Sequence, residues 1–331
     1  MTQLNIFILD VGQGDTSIIQ TPSGKIIVID AYVKEKIQNI FKKQLNDTKQ
    51  IETLVITHPH VDHFQAADYF LDNNFTIEKV ILPPFWLKSG YGSVSYQSLI
   101  NLFLKNHDIE VEFLSGYMRL YPDLGSSLGG TFAPGSMGQL YFELLGPCQR
   151  MLNDMYDINE INPNHLSIIS RFVWCSSADD KDPANFSMIF AADAQMENWA
   201  AFDREGMLKK CKILRAAHHG SKNGTQWERL ERLAPDYTII SSDPDGKDNI
   251  PDLVGCATFL EHECKSKKKV YMTKDTGTMK IEVEQTAAGF SYKFYSFKNS
   301  GTKTDDFSTP PTIFSGSSYQ TDWKQLTQSK V

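Results

Sequence analysis

The chain has 331 residues, 41% of them hydrophobic and 22% charged, which is ample material for a sizeable buried core without disulfides or a structural metal. Its net charge of −7 disfavours a protein that clamps long nucleic acid nonspecifically, since such binding rests on neutralising phosphates. Five cysteines at wide spacings with no C-x-x-C pair argue against a thiolate zinc site and a disulfide framework. No apolar run approaches the roughly 20 residues of a bilayer span. The start, Met1-Thr2-Gln3-Leu4-Asn5, lacks a secretory signal's basic flank and apolar stretch, so a cytoplasmic protein with no membrane partner is expected.

Short runs rich in Ile and Val predict strands at Asn5–Leu9, Thr16–Gln20, Lys25–Ile29 and Thr53–Ile56. Turns such as Thr21-Pro22-Ser23-Gly24 separate them. Two helices intervene. Val33–Leu45 spaces Ile37, Ile40, Phe41 and Leu45 along one face, and Asp62–Leu71 opens on an aspartate and lines up Phe64, Ala67 and Leu71. A strand at Val80–Leu82, a helix at Tyr96–Leu104 and a strand at Glu110–Phe113 follow. Residues 115–138, with GSSLGGTFAPGSMG, read as a loop or surface insertion.

Strands resume at Leu140–Leu145, Leu166–Val173 and Phe186–Ala191, then a helix at Ala194–Glu205 and a strand at Cys211–Ala216. A helix at Gln226–Leu233, a strand at Tyr237–Ser241 and a helix at Leu253–Cys264 come next. Strands near Val270–Thr273, Thr278–Val283 and Phe290–Tyr295 complete the pattern. Many strands mixed with regular helices predict an α/β protein with more than one sheet. One domain is expected over 1–298, with a polar, flexible tail at 299–331. No internal sequence repeat is found. Two basic clusters, one at Lys209, Lys210, Lys212 and Arg215, the other at Lys265, Lys267, Lys268 and Lys269, read as solvated surface.

The stretch THPHVDH, residues 57–63, holds three of only eight histidines. His58 and His60 follow a strand-like run, and in extended chain side chains two apart point the same way, so both imidazoles can meet one metal. Asp62 and His63 fall where the chain turns into a helix, aimed at a neighbouring position. Imidazole and carboxylate donors without thiolate leave room for water and suit catalysis more than a closed structural site. His165 after Asn164, Asp193 just past a strand, and His218-His219 in RAAHHGSKNGT lie at other strand ends, where further ligands would be drawn from. Asp193 also suits a helix N-cap and Ser221 a helix cap. The aromatic stretch PPFWLKSGYGSVSY at 83–96 fits core packing as well as a site mouth.

The combination of LDVGQGDTSII, VIDA, THPHVDHF, NHLSIIS, IFAADAQ and ILRAAHHGSKNGT resembles the metallo-β-lactamase superfamily. More narrowly, it is similar to the soluble hydrolase domain of ComEC-type DNA-uptake proteins, a subfamily that includes phosphorylcholine esterases. The likeness runs from residue 4 to about 295. It implies a four-layer αββα sandwich with two mixed β-sheets and two divalent metals, zinc favoured and manganese accepted, at one edge. By position, His58, His60 and His165 would hold the first metal, and Asp62, His63 and His218 the second, with Asp193 bridging. His165 stands where the subfamily commonly has Asn, so it is a ligand or a bystander.

His219 would hydrogen-bond the substrate or protonate the leaving group, with the choice between His218 and His219 as ligand left open. Asp30 matches an outer carboxylate that orients the histidine loop, and Asp10, Gly12, Gly14 and Asp15 fall in a glycine-rich loop near the site. Asn164 and Ser221 are candidate phosphate contacts. The implied reaction is hydrolysis of a phosphodiester, with Asp62 and Asp193 keeping the metals spaced around a bridging hydroxide. The substrate would be a nucleic acid, a nucleotide or a phosphorylcholine-type ester. The alternatives are a lactonase or carboxyl-ester hydrolase, and a non-catalytic sensor or partner-binding subunit. Two departures bear on the substrate: SSDPDGKDNIPDL lacks the His-Pro pair usual there, and Ala31-Tyr32 replaces two glycines after Asp30.

Overall fold

The computed structural model describes residues 3–84, 93–122, 139–157, 162–175, 184–243, 250–266, 268–286, 289–298, 305–307 and 312–313. Its first half builds β1 (Gln3–Ile8), β2 (Ser17–Gln20), β3 (Ile26–Ile29), α1 (Lys34–Gln44), β4 (Gln50–Val55), α2 (Val61–Phe64), α3 (Asp68–Asp72), β5 (Thr76–Leu82), α4 (Ser93–Lys105) and β6 (Glu110–Phe113). The second builds β7 (Tyr117–Leu120), β8 (Leu140–Leu145), α5 (Gln149–Asp157), β9 (Ile169–Trp174), β10 (Phe186–Phe190), α6 (Met196–Arg204), β11 (Ile213–Arg215), α7 (Trp227–Leu233), β12 (Tyr237–Ile240), α8 (Leu253–Ser266) and β13 (Lys269–Met272). A short turn α9 (Thr273–Thr276) leads back to β14 (Met279–Thr286), β15 (Gly289–Ser296) and β16 (Thr312–Ile313).

The first sheet runs β16-β15-β14-β1-β2-β3-β4-β5-β6 and the second β13-β12-β11-β10-β9-β8-β7. Both are mixed. In the first, β1, β2 and β3 are antiparallel neighbours and β3 to β6 are parallel. In the second, β7 to β10 are antiparallel and β10 to β13 parallel. The halves thus repeat one plan, an antiparallel meander followed by parallel crossovers, although no repeat is visible in the sequence. Strand periodicity explains why.

Side chains alternate between two apolar surroundings, so the pattern needs only hydrophobic residues on both faces. In β1, Leu4, Ile6 and Ile8 enter a core that also holds Phe172, Phe186 and Met188 of the second sheet, while Phe7 faces the helices. Ile37, Ile40 and Phe41 of α1 and Tyr96, Ile100 and Phe103 of α4 cover the first sheet's outer face. Trp199 and Phe202 of α6, Leu230 of α7 and Phe259 of α8 cover the second's. Helix, sheet, sheet, helix is the four-layer αββα order. Each fully buried Ile or Phe in these layers stabilises by about 1.5–3 kcal/mol relative to exposure.

Four expectations change. The helix expected at Asp62–Leu71 breaks into α2 and α3, because Ala31 N–H takes the His63 carbonyl at 2.7 Å and the Ala31 carbonyl takes Ala66 N–H at 2.8 Å. The strand expected from Leu166 starts at Ile169, since Pro163–Leu166 is a 3-10 turn capped by the Asn162 side chain. Tyr117–Leu120 of the expected loop pairs with β8, and α5 was not expected. Within the stretch expected to be a flexible tail, β16 pairs with β15, and the Asp305 carboxylate accepts Thr278 N–H at 2.9 Å. No helix among the described residues is long and apolar enough to cross a membrane.

Candidate metal centre

Asp30, the 57–63 loop, Asp193 and the His218-His219 pair lie just past the carboxyl ends of β3, β4, β10 and β11, all in parallel pairs. Side chains leaving such strand ends face the crevice at the sheet edge, where α/β folds place their ligands. After β4 the chain bends at His58 and Pro59, is extended again at His60, at φ −88° and ψ 142°, and then coils into α2. The His58 and His60 rings meet on one side, Nε2 to Nδ1 at 3.2 Å, while Asp62 and His63 occupy the helical turn.

After β11 the chain turns sharply, and His218 and His219 both adopt φ of 51°. Left-handed backbone costs a non-glycine residue roughly 1–2 kcal/mol. Asp30 and Ala192 share this conformation, so four of the eight such residues described gather at this one edge. Strain concentrated this way requires a loop that its surroundings over-determine. Its supports are specific: His218 N–H donates to the Ala192 carbonyl at 2.8 Å, and Ser221 N–H to the His218 carbonyl at 2.8 Å.

Helix α8 presses against the same loop at Gly255, where an added Cβ would lie 2.0 Å from the Gly220 carbonyl oxygen. By helix propensity alone, Gly255→Ala should stabilise by up to about 1 kcal/mol. Because the collision is with backbone, we expect a loss of about 1–3 kcal/mol instead. Urea unfolding decides, and any gain in stability contradicts the packing argument.

Asp193, buried at the centre, faces both histidine groups. Its Oδ2 lies 3.4 Å from His58 Nε2 and 3.8 Å from His218 Nε2. Its Oδ1 lies 3.4 Å from both His63 Nε2 and His219 Nε2. His60 Nδ1 stands 3.2 Å from His58 Nε2, and Asp62 Oδ2 3.5 Å from His219 Nε2. Two donor sets emerge: His58, His60 and one oxygen of Asp193; then Asp62, His63, His219 and the other oxygen.

His63 Nε2, His219 Nε2 and Asp193 Oδ1 are buried without a hydrogen-bond partner. Atoms at 3.4 Å that face a common point rather than one another are what a cation would satisfy, so the residues fit divalent metal. Burial and the neighbouring His58 push His60 down to about 4, leaving a neutral ring able to ligate. Burial raises the Asp193 carboxyl, but the surrounding imidazoles, His219 foremost, outweigh it and hold it well below the usual carboxylate range.

Behind the donors, His63 Nδ1–H donates to Asp30 Oδ2 at 2.7 Å, and Thr57 donates to both Asp30 oxygens at 2.7 Å each. His219 Nδ1–H donates to the Ser241 carbonyl at 3.0 Å, with Asp15 Oδ1 3.3 Å away. These contacts hold an Nδ1–H of each ring on the far side, so Nε2 is the atom each ring turns toward the cluster.

The adjacent histidines divide differently from the expected assignment. His219 joins Asp62 and His63, whereas His218 stands beside the other set with its Nε2 3.4 Å from Asn164 Nδ2. His165 is not brought in: its Nε2 meets Glu197 at 3.2 Å and Asn162 at 3.4 Å. Asp10 lies away among Lys36, Lys298 and Asp305, and burial pushes its carboxyl up to about 6. Ser221 Oγ accepts Asn223 N–H at 3.4 Å, as a turn cap would.

Residues 85–92 of the aromatic stretch and 244–249 of the segment lacking His-Pro lie outside the described residues. Tyr96, from the same aromatic stretch, is buried in the helix-side core. Arg215 is not solvated surface: its side chain is 3% exposed and pairs with Asp15. Its signal in the sequence was an arginine closing the apolar strand Ile213-Leu214-Arg215, a position that buries its side chain.

Two mixed sheets between helical layers, with histidine and aspartate loops meeting at one edge, define a metallo-β-lactamase-like fold. A sequence model of the metallo-beta-lactamase superfamily matches residues 9–82, the stretch that carries β1 to β5 and the 57–63 loop. Over those residues, and in the order of its layers, the chain is similar to that superfamily. Among solved structures, the chain is similar to the metallo-beta-lactamase fold protein YhfI from Bacillus subtilis, at 10% identity and a TM-score of 0.42, covering 81% of this chain and 96% of that one. It is also similar to a long form RNase Z from yeast, at 12% identity and a TM-score of 0.40, covering 73% of this chain and 37% of that one. The present chain therefore spans little more than a third of the yeast enzyme. A comparison with curated proteins gives no match.

Proposed function

We propose that the protein is a metal-dependent hydrolase of phosphodiesters. The observation that carries the metal reading is the central carboxylate of Asp193, whose two oxygens face separate histidine sets with ligand-ready atoms lacking partners. His58 and His60 would hold one divalent ion, and Asp62, His63 and His219 the other, with Asp193 shared. Bound metal would supply a nucleophile at neutral pH and take up negative charge growing on the substrate.

The remaining chemistry belongs to the chain. Asp62 and Asp193 make the bare site anionic, so a phosphodiester anion would be repelled until cations are present. His218 is pushed below the ordinary histidine value by burial, against Asp193, and so is neutral at pH 7. Its Nε2 stands 3.4 Å from Asn164 Nδ2, and these two neutral groups beside the first set are the ones we assign to hydrogen-bond a phosphoryl oxygen or the leaving group. The phosphodiester choice rests on the likeness to ComEC-type domains and on these neutral donors.

We expect the purified protein to hold two equivalents of zinc or manganese, to cleave a bis-aryl phosphate, and to lose that activity on chelation. Elemental analysis and a side-by-side panel of diesters, nucleic acids and lactones test this. Less than one equivalent of metal overturns the hydrolase reading. Faster lactone turnover replaces the substrate class.

A further inference from the structure

We infer that Asp15 and Arg215 are a positioning pair that locks the two ligand-bearing halves together and fixes which nitrogen of His219 faces the metals. The inference rests on the metal-centre reading but assigns residues which that reading does not use.

Asp15 comes from the loop between β1 and β2 of the first sheet, and Arg215 ends β11 in the second. Guanidinium Nη1 and Nη2 meet carboxylate Oδ2 and Oδ1 respectively, a fork-to-fork contact with both side chains at 4% exposure or less. Arg215 is rigidly based, because its backbone is laddered between Phe190 and Ile239. Asp15 is anchored to the first half by its N–H, which donates to the Asp62 carbonyl at 3.1 Å. The circuit closes through Ser241, whose hydroxyl donates to the Gly14 carbonyl at 2.8 Å and whose carbonyl accepts from His219 Nδ1–H at 3.0 Å.

Two consequences follow. The His219 ring proton lies between two acceptors, the Ser241 carbonyl and Asp15 Oδ1, which leaves Nε2 bare toward Asp62 and Asp193. Asp15 is also close enough to His63 and His219 to chelate an ion itself. Arg215 occupies both of its oxygens and so keeps Asp15 an outer partner rather than a competing ligand. A buried ion pair adds little net stability over an apolar pair, so the contribution of this one is geometric.

The test compares Arg215→Met, Arg215→Lys and the double variant Asp15→Asn/Arg215→Met. Zinc affinity is read by chelator competition, and the His219 tautomer in metal-free protein by imidazole nitrogen NMR. We expect the parent to carry its proton on Nδ1. Arg215→Met should weaken one zinc equivalent about 10–100-fold and leave the other nearly unchanged. Arg215→Lys, which keeps charge but loses the fork, should recover only part. Should Arg215→Met fail to fold, the double variant removes both charges and decides. A folded double or Lys variant with parental zinc affinity and parental tautomer overturns the inference. If the parent binds no zinc, the metal-centre reading fails, and the tautomer comparison alone judges this one.

Discussion

Asp193→Asn is expected to lower kcat/KM for a phosphodiester by about a thousandfold or more, on the order of 4 kcal/mol of transition-state stabilisation, and to leave at most one equivalent of metal bound. The reason is the symmetry of its surroundings. Oδ1 faces His63 and His219, and Oδ2 faces His58, each at 3.4 Å. An amide is neutral and offers one acceptor oxygen and one NH2 group, so both donor sets lose the shared negative charge and, whichever way it turns, one of them meets a hydrogen-bond donor. A dicationic site also loses the charge that keeps two like ions at close spacing.

The fold should survive, which makes the result interpretable. His58 and His60 are held below the ordinary histidine value by burial, so they are neutral at pH 7 with or without the carboxylate, while His63, which Asp30 and Asp193 together hold above that value, keeps Asp30 as its buried counter-charge at 2.7 Å. Circular dichroism and urea unfolding of the metal-free variant should match the parent to within about 1–2 kcal/mol. Metal analysis showing two tightly held equivalents, together with parental turnover, would remove Asp193 from the centre of the site.

The donors nearest the cluster were legible because they sit in short local patterns. The i, i+2 spacing of His58 and His60 needs only a short loop, and Asp62 and His63 need only the helical turn that follows. Asp193 and the histidine pair were legible as residues at strand ends. What the pattern did not carry is set by long-range contacts. Which of the two adjacent rings turns toward Asp62 and His63 depends on a left-handed turn held by Ala192 and by Gly220 against Gly255, and local propensity favours neither histidine. Arg215 looked like one more member of a basic surface run, since its partner Asp15 lies 200 positions away. The residue pattern carried an α/β protein with more than one sheet, and the αββα order came only with the family resemblance; β7 was not legible, because Tyr117-Met118-Arg119-Leu120 alternates only once beside a glycine-rich run.

Asp30→Asn should cost both stability and metal, by a route separate from Asp193. Asp30 is fully buried and touches no atom of the donor sets except through His63 Nδ1. Its Oδ1 accepts Thr57 N–H, and its Oδ2 accepts both the Thr57 hydroxyl and His63 Nδ1–H, each at 2.7 Å. Every partner is a donor, so an asparagine must point its NH2 at one of them. Turned toward Thr57 N–H, it buries two donors face to face, at about 1–3 kcal/mol.

Turned toward His63, its NH2 donates to Nδ1 and drives the ring proton to Nε2, the atom that must be bare to ligate. Burial pushes His63 down, but Asp30 and Asp193 outweigh it and hold the ring well above the ordinary histidine value. Losing the Asp30 charge therefore also removes the partner that keeps Nδ1 protonated. We expect metal affinity to fall about 10–100-fold while the metal-free protein loses about 1–3 kcal/mol in urea. Thr57→Val separates the two effects, because it removes the hydroxyl and leaves the His63–Asp30 bond intact: stability should drop while metal affinity stays near the parent's. Parental metal affinity in Asp30→Asn would show that His63 is oriented by its helix alone.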